Sequence, residues 1–216
     1  MNTDRLIDML SADPEPVHSV RLGRLLILAI IAGAVASFGL MLATFGPRPD
    51  IQSTAHLEWL AVKLIFALSV VGTAAPLLNR SMRPGLEDET NWLLIFLPFS
   101  AAIAISIAMM LLGQPREWGA MLRGATAVSS VRCLLCIVFF AAIPLTVVIC
   151  TIRRGAPTRL KLCGGIAGIL AGGVGAAAYA FTCTSDTIPF IAIWYGAAIV
   201  LCAVAGAQLA PRVLRW

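Results

Sequence analysis

Residues 181–196 read FTCTSDTIPFIAIWYG, a short polar gap between two strongly apolar runs at about 162–181 and 189–210. Four further apolar runs lie upstream, at about 25–45, 57–78, 92–112 and 133–152. A helix that crosses a hydrocarbon core needs roughly 20 apolar residues, so each run is long enough to span. The runs take up more than half of the 216 residues. The composition agrees, with 59% hydrophobic residues, 12% charged residues and a mean hydropathy of +0.90, far too apolar for an ordinary soluble domain. The expected fold is all-α, a polytopic membrane protein with six transmembrane helices. The first run is too long for a signal-peptide core and is followed by Gly46-Pro47-Arg48-Pro49 without a small-residue cleavage site, so it reads as a retained helix.

Lysines and arginines in short loops set the orientation. With six spans, the N-terminus, loop 79–91, loop 153–161 and the C-terminus share one side. That side carries eleven: Arg5, Arg21, Arg24, Arg80, Arg83, Arg153, Arg154, Arg159, Lys161, Arg212 and Arg215. The other side carries four, Arg48, Arg116, Arg123 and Arg132, and Lys63 lies inside the second run. Both termini are therefore expected in the cytoplasm. The chain divides into a cytoplasmic N-terminal segment 1–24, a six-helix domain 25–210 and a cytoplasmic tail 211–216. The net charge of +5 is mostly this orientation signal, and no direct contact with nucleic acid is implied.

On this topology Cys183 faces outward in the last outer loop, and Cys133 opens the fourth helix at the same level. Cys136 follows one turn deeper, whereas Cys150, Cys163 and Cys202 fall toward the inner side and read as small packing residues. Two thiols at an oxidising outer face can be oxidised, or can hold a soft metal as thiolates. Arg132 beside Cys133 would favour the thiolate there, and Asp186 near Cys183 would oppose it. The spacing Cys133-Leu-Leu-Cys136 is a CxxC, a weak signal on its own.

The opening residues MNTDRLIDMLSADPEP form a short amphipathic pattern. Asn2 or Thr3 can cap a helix, and Asp4 suits the positive end of its dipole. At about 100° per residue, Leu6, Ile7, Met9 and Leu10 cover one face while Asp4, Arg5 and Asp8 lie opposite. Pro14 and Pro16 end it. A helix of about ten residues is unstable alone, and its acidic polar face is unlike that of helices lying on anionic lipid. A groove on a basic protein partner fits it better.

Other features divide between packing and function. Gly164, Gly168 and Gly172 repeat every four residues, a spacing that lets membrane helices approach closely and reads as packing within the bundle rather than dimerisation. Pro98 and Pro144 interrupt the third and fourth runs. Lys63 is the one charge well inside a run, which marks a functional candidate. It also lies about 9 Å from the start of its run at 1.5 Å per residue, close enough to snorkel. Trp194 and Tyr195 read as interfacial anchors of the last helix, which Pro189 starts. The chain has two histidines, His18 and His56, both outside the runs, and no HExxH or P-loop. It lacks the midplane polar groups of a transporter. These absences argue against an enzyme or transporter.

The order of short motifs resembles one known family. The opening MNTDRLIDML with Pro16-Val17 after it, GPRPD at 46–50, Cys133 at the head of the fourth run and RRGAPTR at 153–159 carry the resemblance. So do C-x-x-D at 183–186, WYG at 194–196 and the closing RVLRW. Nearly end to end, the chain resembles the NrsF family, the membrane anti-sigma factors named as negative regulators of sigma F. The resemblance implies a six-helix inner-membrane protein that holds an extracytoplasmic-function sigma factor inactive. It also implies two cysteines, Cys133 and Cys183 by position, that answer metal or redox stress. Cys133 and Cys183 would be the metal ligands, with no resident cofactor and at most transient heavy-metal binding. Asp4, Leu6, Ile7, Asp8 and Leu10 would anchor the sigma factor, and the lipid bilayer would be the other partner. Cys136, in CLLC, departs from the family pattern and leaves open a different thiol pair. The alternative is a membrane thiol-disulfide oxidoreductase using Cys133 and Cys136 with Cys183 as shuttle, which would require Cys136.

Overall fold

The structure is a computed structural model describing residues 19–46, 54–82, 92–112, 127–155, 157 and 159–213. Among the described residues it contains helices and no strands. The helices are α1 (Ser19–Thr44), α2 (Thr54–Ser81), α3 (Leu97–Leu112), α4 (Ala127–Ile152), α5 (Leu160–Ala180) and α6 (Ile188–Val213). Five of them, α1, α2, α4, α5 and α6, are long and apolar enough to cross a membrane.

The third predicted run is helical over its expected length but is not one continuous α-helix. A 3₁₀ turn, Trp92–Ile95, precedes α3, which has 16 residues, fewer than the roughly 20 of a full α-helical span. Pro98 explains the break. It has no N–H for the carbonyl four residues back and its ring crowds that carbonyl. The α-helical ladder therefore begins beside Pro98, which sits in the first turn rather than at a kink in the middle.

Pro144 does lie inside its helix, α4. It leaves the Phe140 carbonyl without its usual i+4 donor, and a bare backbone carbonyl is costly in an apolar interior. The neighbouring helix makes good the loss: the Ser37 hydroxyl on α1 donates to the Phe140 carbonyl at 2.8 Å in a buried bond. The two helices close up there because Gly33 has no side chain. A Cβ on Gly33 would sit 2.8 Å from the Pro144 Cβ.

Helix α5 is the axle of the bundle. In its most apolar stretch 78% of residues are buried, against 28–44% in the other four long helices. It packs on α6, α4, α2 and α1. The glycine repeat accounts for the closest contact: a Cβ on Gly168 would strike the Cys202 carbonyl and the Ala203 backbone of α6. On another face, a Cβ on Gly175 would lie 2.7 Å from the Ile137 carbonyl of α4. The repeat thus serves packing within the bundle, as read from the sequence.

Two apolar cores are stacked along this axle. One gathers Leu26, Leu78, Met82, Ile152, Leu170 and Ala210. The other gathers Met41, Phe66, Phe140, Tyr179 and Tyr195 around Cys133 and Cys183. Cys163 and Cys202 pack in the first core as expected, but Cys150 is exposed on the bundle surface.

Candidate functional site

The site forms where the first turns of α4 and α6 meet the last turn of α5. Helix α5 ends by turning in on itself: the Cys183 N–H donates to the Tyr179 carbonyl at 3.1 Å, as does the Thr182 N–H at 3.0 Å. Extended residues follow to Thr187, whose carbonyl accepts the Ile191 N–H at 3.2 Å as α6 begins. Pro189 stands in that first turn, where a missing N–H costs least. The polar gap of the sequence is thus a short link pinned at both ends.

Cys133 and Cys183 meet within this link. The two thiols are free and buried, 0% and 4% exposed. The two sulfurs lie close enough to interact directly. That proximity to Cys133 is the leading cause holding the Cys183 thiol below its ordinary value. Burial opposes the shift, while the Lys63 ammonium, the Ser185 backbone N–H and the Tyr195 hydroxyl support it. The Cys183 thiol also has the Ser185 carbonyl at 3.9 Å, a long contact.

Lys63 is not at the surface. It is 1% exposed, and its ammonium points inward to Asp186 Oδ1 at 2.7 Å and to the Cys183 carbonyl oxygen at 3.0 Å. Snorkelling is therefore overturned. An ammonium in an apolar interior requires a counter-charge and acceptors, and the link between α5 and α6 supplies both. The same contact changes the reading of Asp186: its carboxylate pairs with the ammonium rather than simply opposing a thiolate at Cys183. Arg132 also departs from expectation. Its guanidinium lies over the Phe45 ring at 5.4 Å and beside Cys136, so Lys63 is the cation that supports the thiol pair.

Tyr195 was expected as an interfacial anchor but is 0% exposed. A π-helical turn, Ile191–Tyr195, widens the start of α6, and such turns re-aim side chains where function needs them. The ring tilts against Tyr179 at 6.3 Å between centroids. The Tyr195 hydroxyl has no well-formed hydrogen bond, although it lies near enough to Cys183 to favour its thiolate. Trp194 is half-buried against Phe190.

The structure thus joins Cys133 and Cys183 and leaves Cys136 half-buried one turn along α4. Among the described residues, no group of three or more His, Cys, Asp or Glu is placed to hold a metal ion. Two adjacent sulfurs suit a soft cation or a disulfide. Asp4, Leu6, Ile7, Asp8 and Leu10 lie outside the described residues. Sequence reasoning missed the Lys63–Asp186 pair and the burial of Tyr195. A usable signal existed for the pair: Lys63 is the one charge well inside a run, and Asp186 is the only acidic residue after Glu117.

Fold and site together define a polytopic helical protein, apolar enough to lie in a membrane, with two thiols brought together at one end. A family model described as the negative regulator of sigma F, NrsF, matches residues 10–216. The chain belongs to that family. It is 32% identical over 218 residues to the probable anti-sigma-F factor NrsF of Azospira oryzae, with both chains covered completely. It is 30% identical over 223 residues, again with complete coverage, to the anti-sigma-F factor NrsF of Caulobacter vibrioides. No solved structure matches the chain. The family is a regulatory one, and its members are anti-sigma factors.

Proposed function

We propose that this protein holds an extracytoplasmic-function sigma factor inactive at the bacterial inner membrane and releases it when Cys133 and Cys183 sense metal or redox stress. The carrying observation is the meeting of two thiols fifty residues apart in sequence, both buried and packed in one core. In this reading both termini are cytoplasmic, and the thiol end of the bundle faces the periplasm. Helix α3, with the Trp92–Ile95 turn before it, supplies the sixth crossing. At 1.5 Å per residue α3 covers about 24 Å and the turn adds about 8 Å, which together match a hydrocarbon core of about 30 Å.

The segment 1–24 binds the sigma factor through Leu6, Ile7 and Leu10, flanked by Asp4 and Asp8. A soft metal ion would be held by Cys133 and Cys183 as thiolates, and an oxidant would join them as a disulfide. Both outcomes replace the direct thiol contact that now joins α4 to the α5–α6 connection. Release follows only if the altered pair favours a bundle state with lower sigma affinity, which takes a coupling of a few kcal/mol.

The test is co-purification of cytoplasmic partners with the detergent-solubilised protein before and after cadmium or chromate stress. The expected result is a sigma factor bound to the wild type and to Cys133→Ser/Cys183→Ser, but shed under stress only by the wild type. Loss from both proteins would remove the thiols from the mechanism. Leu6→Asp should abolish sigma binding and make the regulated genes constitutive; unchanged output would sink the anchor assignment.

A further inference from the structure

The ion pair between α2 and the α5–α6 link joins a buried ammonium to a partly exposed carboxylate, and the thiol chemistry alone does not require it. Lys63 places one ammonium on two acceptors three residues apart, the Cys183 carbonyl at 3.0 Å and the Asp186 carboxylate at 2.7 Å. The link is otherwise anchored by α5 on one side and α6 on the other. A buried ion pair is weak evidence for stability, because apolar residues of similar volume often serve as well. What it supplies is geometry: a fixed direction and two fixed distances. Both distances are spent on the residue that carries the sensing sulfur and on its near neighbour.

We propose that Lys63 is the positioning residue of the thiol pair: its two-point grip on Cys183 and Asp186 holds the Cys183 sulfur against Cys133 and ties the link to α2. This deepens the sensor reading above and rests on it only for its biological consequence, since the positioning itself concerns two sulfurs and one ammonium. Two features make the grip specific. Lys63 grasps the backbone of Cys183 rather than its sulfur, leaving the sulfur to Cys133. The grip also reaches the link from α2, a helix that supplies neither thiol. A rearrangement of the link when the two sulfurs react is therefore felt along α2, through the Lys63 side chain.

The test measures formation of the Cys133–Cys183 disulfide in membranes treated with diamide. Each disulfide formed gives up two electrons and two protons, and diamide takes them to become the hydrazine. Mass spectrometry of digested protein resolves which cysteines have paired. Lys63→Met should slow the Cys133–Cys183 bond by about tenfold or more, the scale on which small misplacements of reacting groups act. It should also raise the share of Cys183 paired with Cys136. Lys63→Arg keeps the charge and two-acceptor reach and should recover most of the wild-type rate, which a merely space-filling role would not give. Asp186→Asn keeps the carbonyl contact and should slow the bond by about threefold, and this variant still tests the grip if Lys63→Met fails to fold.

A folded Lys63→Met protein that forms the bond at the wild-type rate overturns the proposal, as does a wild-type Asp186→Asn rate. A Lys63→Arg protein as slow as Lys63→Met would overturn the role of the charge. The readout needs no sigma factor, so the two ideas fail separately. Stress release that survives Cys133→Ser/Cys183→Ser defeats the sensor while leaving the disulfide result standing.

Discussion

The core around Leu78, Ile152 and Leu170 has no aromatic ring among its buried residues, whereas the core around Cys133 and Cys183 has Phe66, Phe140, Tyr179, Phe190 and Tyr195. The second core also borders the Lys63–Asp186 pair and contains an under-bonded tyrosine hydroxyl. In the first, aliphatic side chains and glycines set the distances between helices. That kind of packing has one good arrangement and resists every other. In the second, much of the geometry rests on hydrogen bonds and charges that a change at sulfur can rearrange. One region is suited to stay fixed and the other to respond. The shared axle, α5, carries both.

The largest effect should come from the fixed region. Gly168→Val would drive a branched side chain into the Cys202 carbonyl and Ala203 backbone of α6, and backbone cannot step aside as a flexible side chain can. The expected cost is about 3 kcal/mol or more, read as loss of monodisperse protein in detergent and a lower thermal midpoint. The matching control is Gly72→Ala on α2, where an added Cβ meets nothing within 4 Å. That change should stabilise by about 0.5 kcal/mol, because glycine gives up more freedom in a helix than alanine. Equal tolerance at both sites would mean that the α5–α6 approach is not the fixed distance that the first region is argued to hold.

How much of this was visible in the chain itself follows the same division. The long apolar runs and the Gly164–Gly168–Gly172 repeat are one-dimensional signals: the runs located the helices, and the repeat announced close packing within the bundle without naming α6 as the partner. Cys133 and Cys183 could be put at one level by counting runs. The third run, 92–112, is helical as well, but hydropathy does not register that it opens as a 3₁₀ turn and that the α-helical ladder starts beside Pro98. Lys63 and Asp186 are 123 residues apart in sequence; a lone charge deep in one run and a lone late carboxylate hint at a pair, but only the packing of α2 against the α5–α6 link brings the two together. Tyr195 misled because an aromatic residue beside a polar gap reads as an interfacial anchor, and the π-turn that buries it has no sequence signature.

A smaller effect lies between the two regions, where α1 meets α4. Ser37→Ala removes the donor that serves the Phe140 carbonyl, and a buried carbonyl left bare costs about 1 kcal/mol. The size alone would be unremarkable, so the informative experiment is a cycle with Pro144→Ala. Alanine at 144 restores the N–H four residues on from Phe140, so the carbonyl no longer needs Ser37. The loss caused by Ser37→Ala should shrink to near zero in that background, with thermal midpoints reporting all four proteins. An unchanged loss would mean that Ser37 acts through packing against α4 rather than by repairing the proline.

The smallest expected effect is the sharpest test of where the responsive region ends. Cys136 lies one turn beyond Cys133 on the same helix, yet it is half-buried beside Arg132 and outside the Lys63 grip. Cys136→Ser changes a sulfur for an oxygen of similar shape at a partly open position. It should leave both the thermal midpoint and stress-induced expression from a sigma-dependent reporter unchanged within error. Cys183→Ser, made beside it, should abolish the induction. If the two variants lose induction alike, Cys136 belongs to the reacting set, the responsive region extends a turn further down α4, and a three-thiol exchange of the oxidoreductase kind gains over a two-thiol sensor. If only Cys183→Ser fails, the boundary falls between Cys133 and Cys136, at the limit of what Lys63 and the α5–α6 link hold in place.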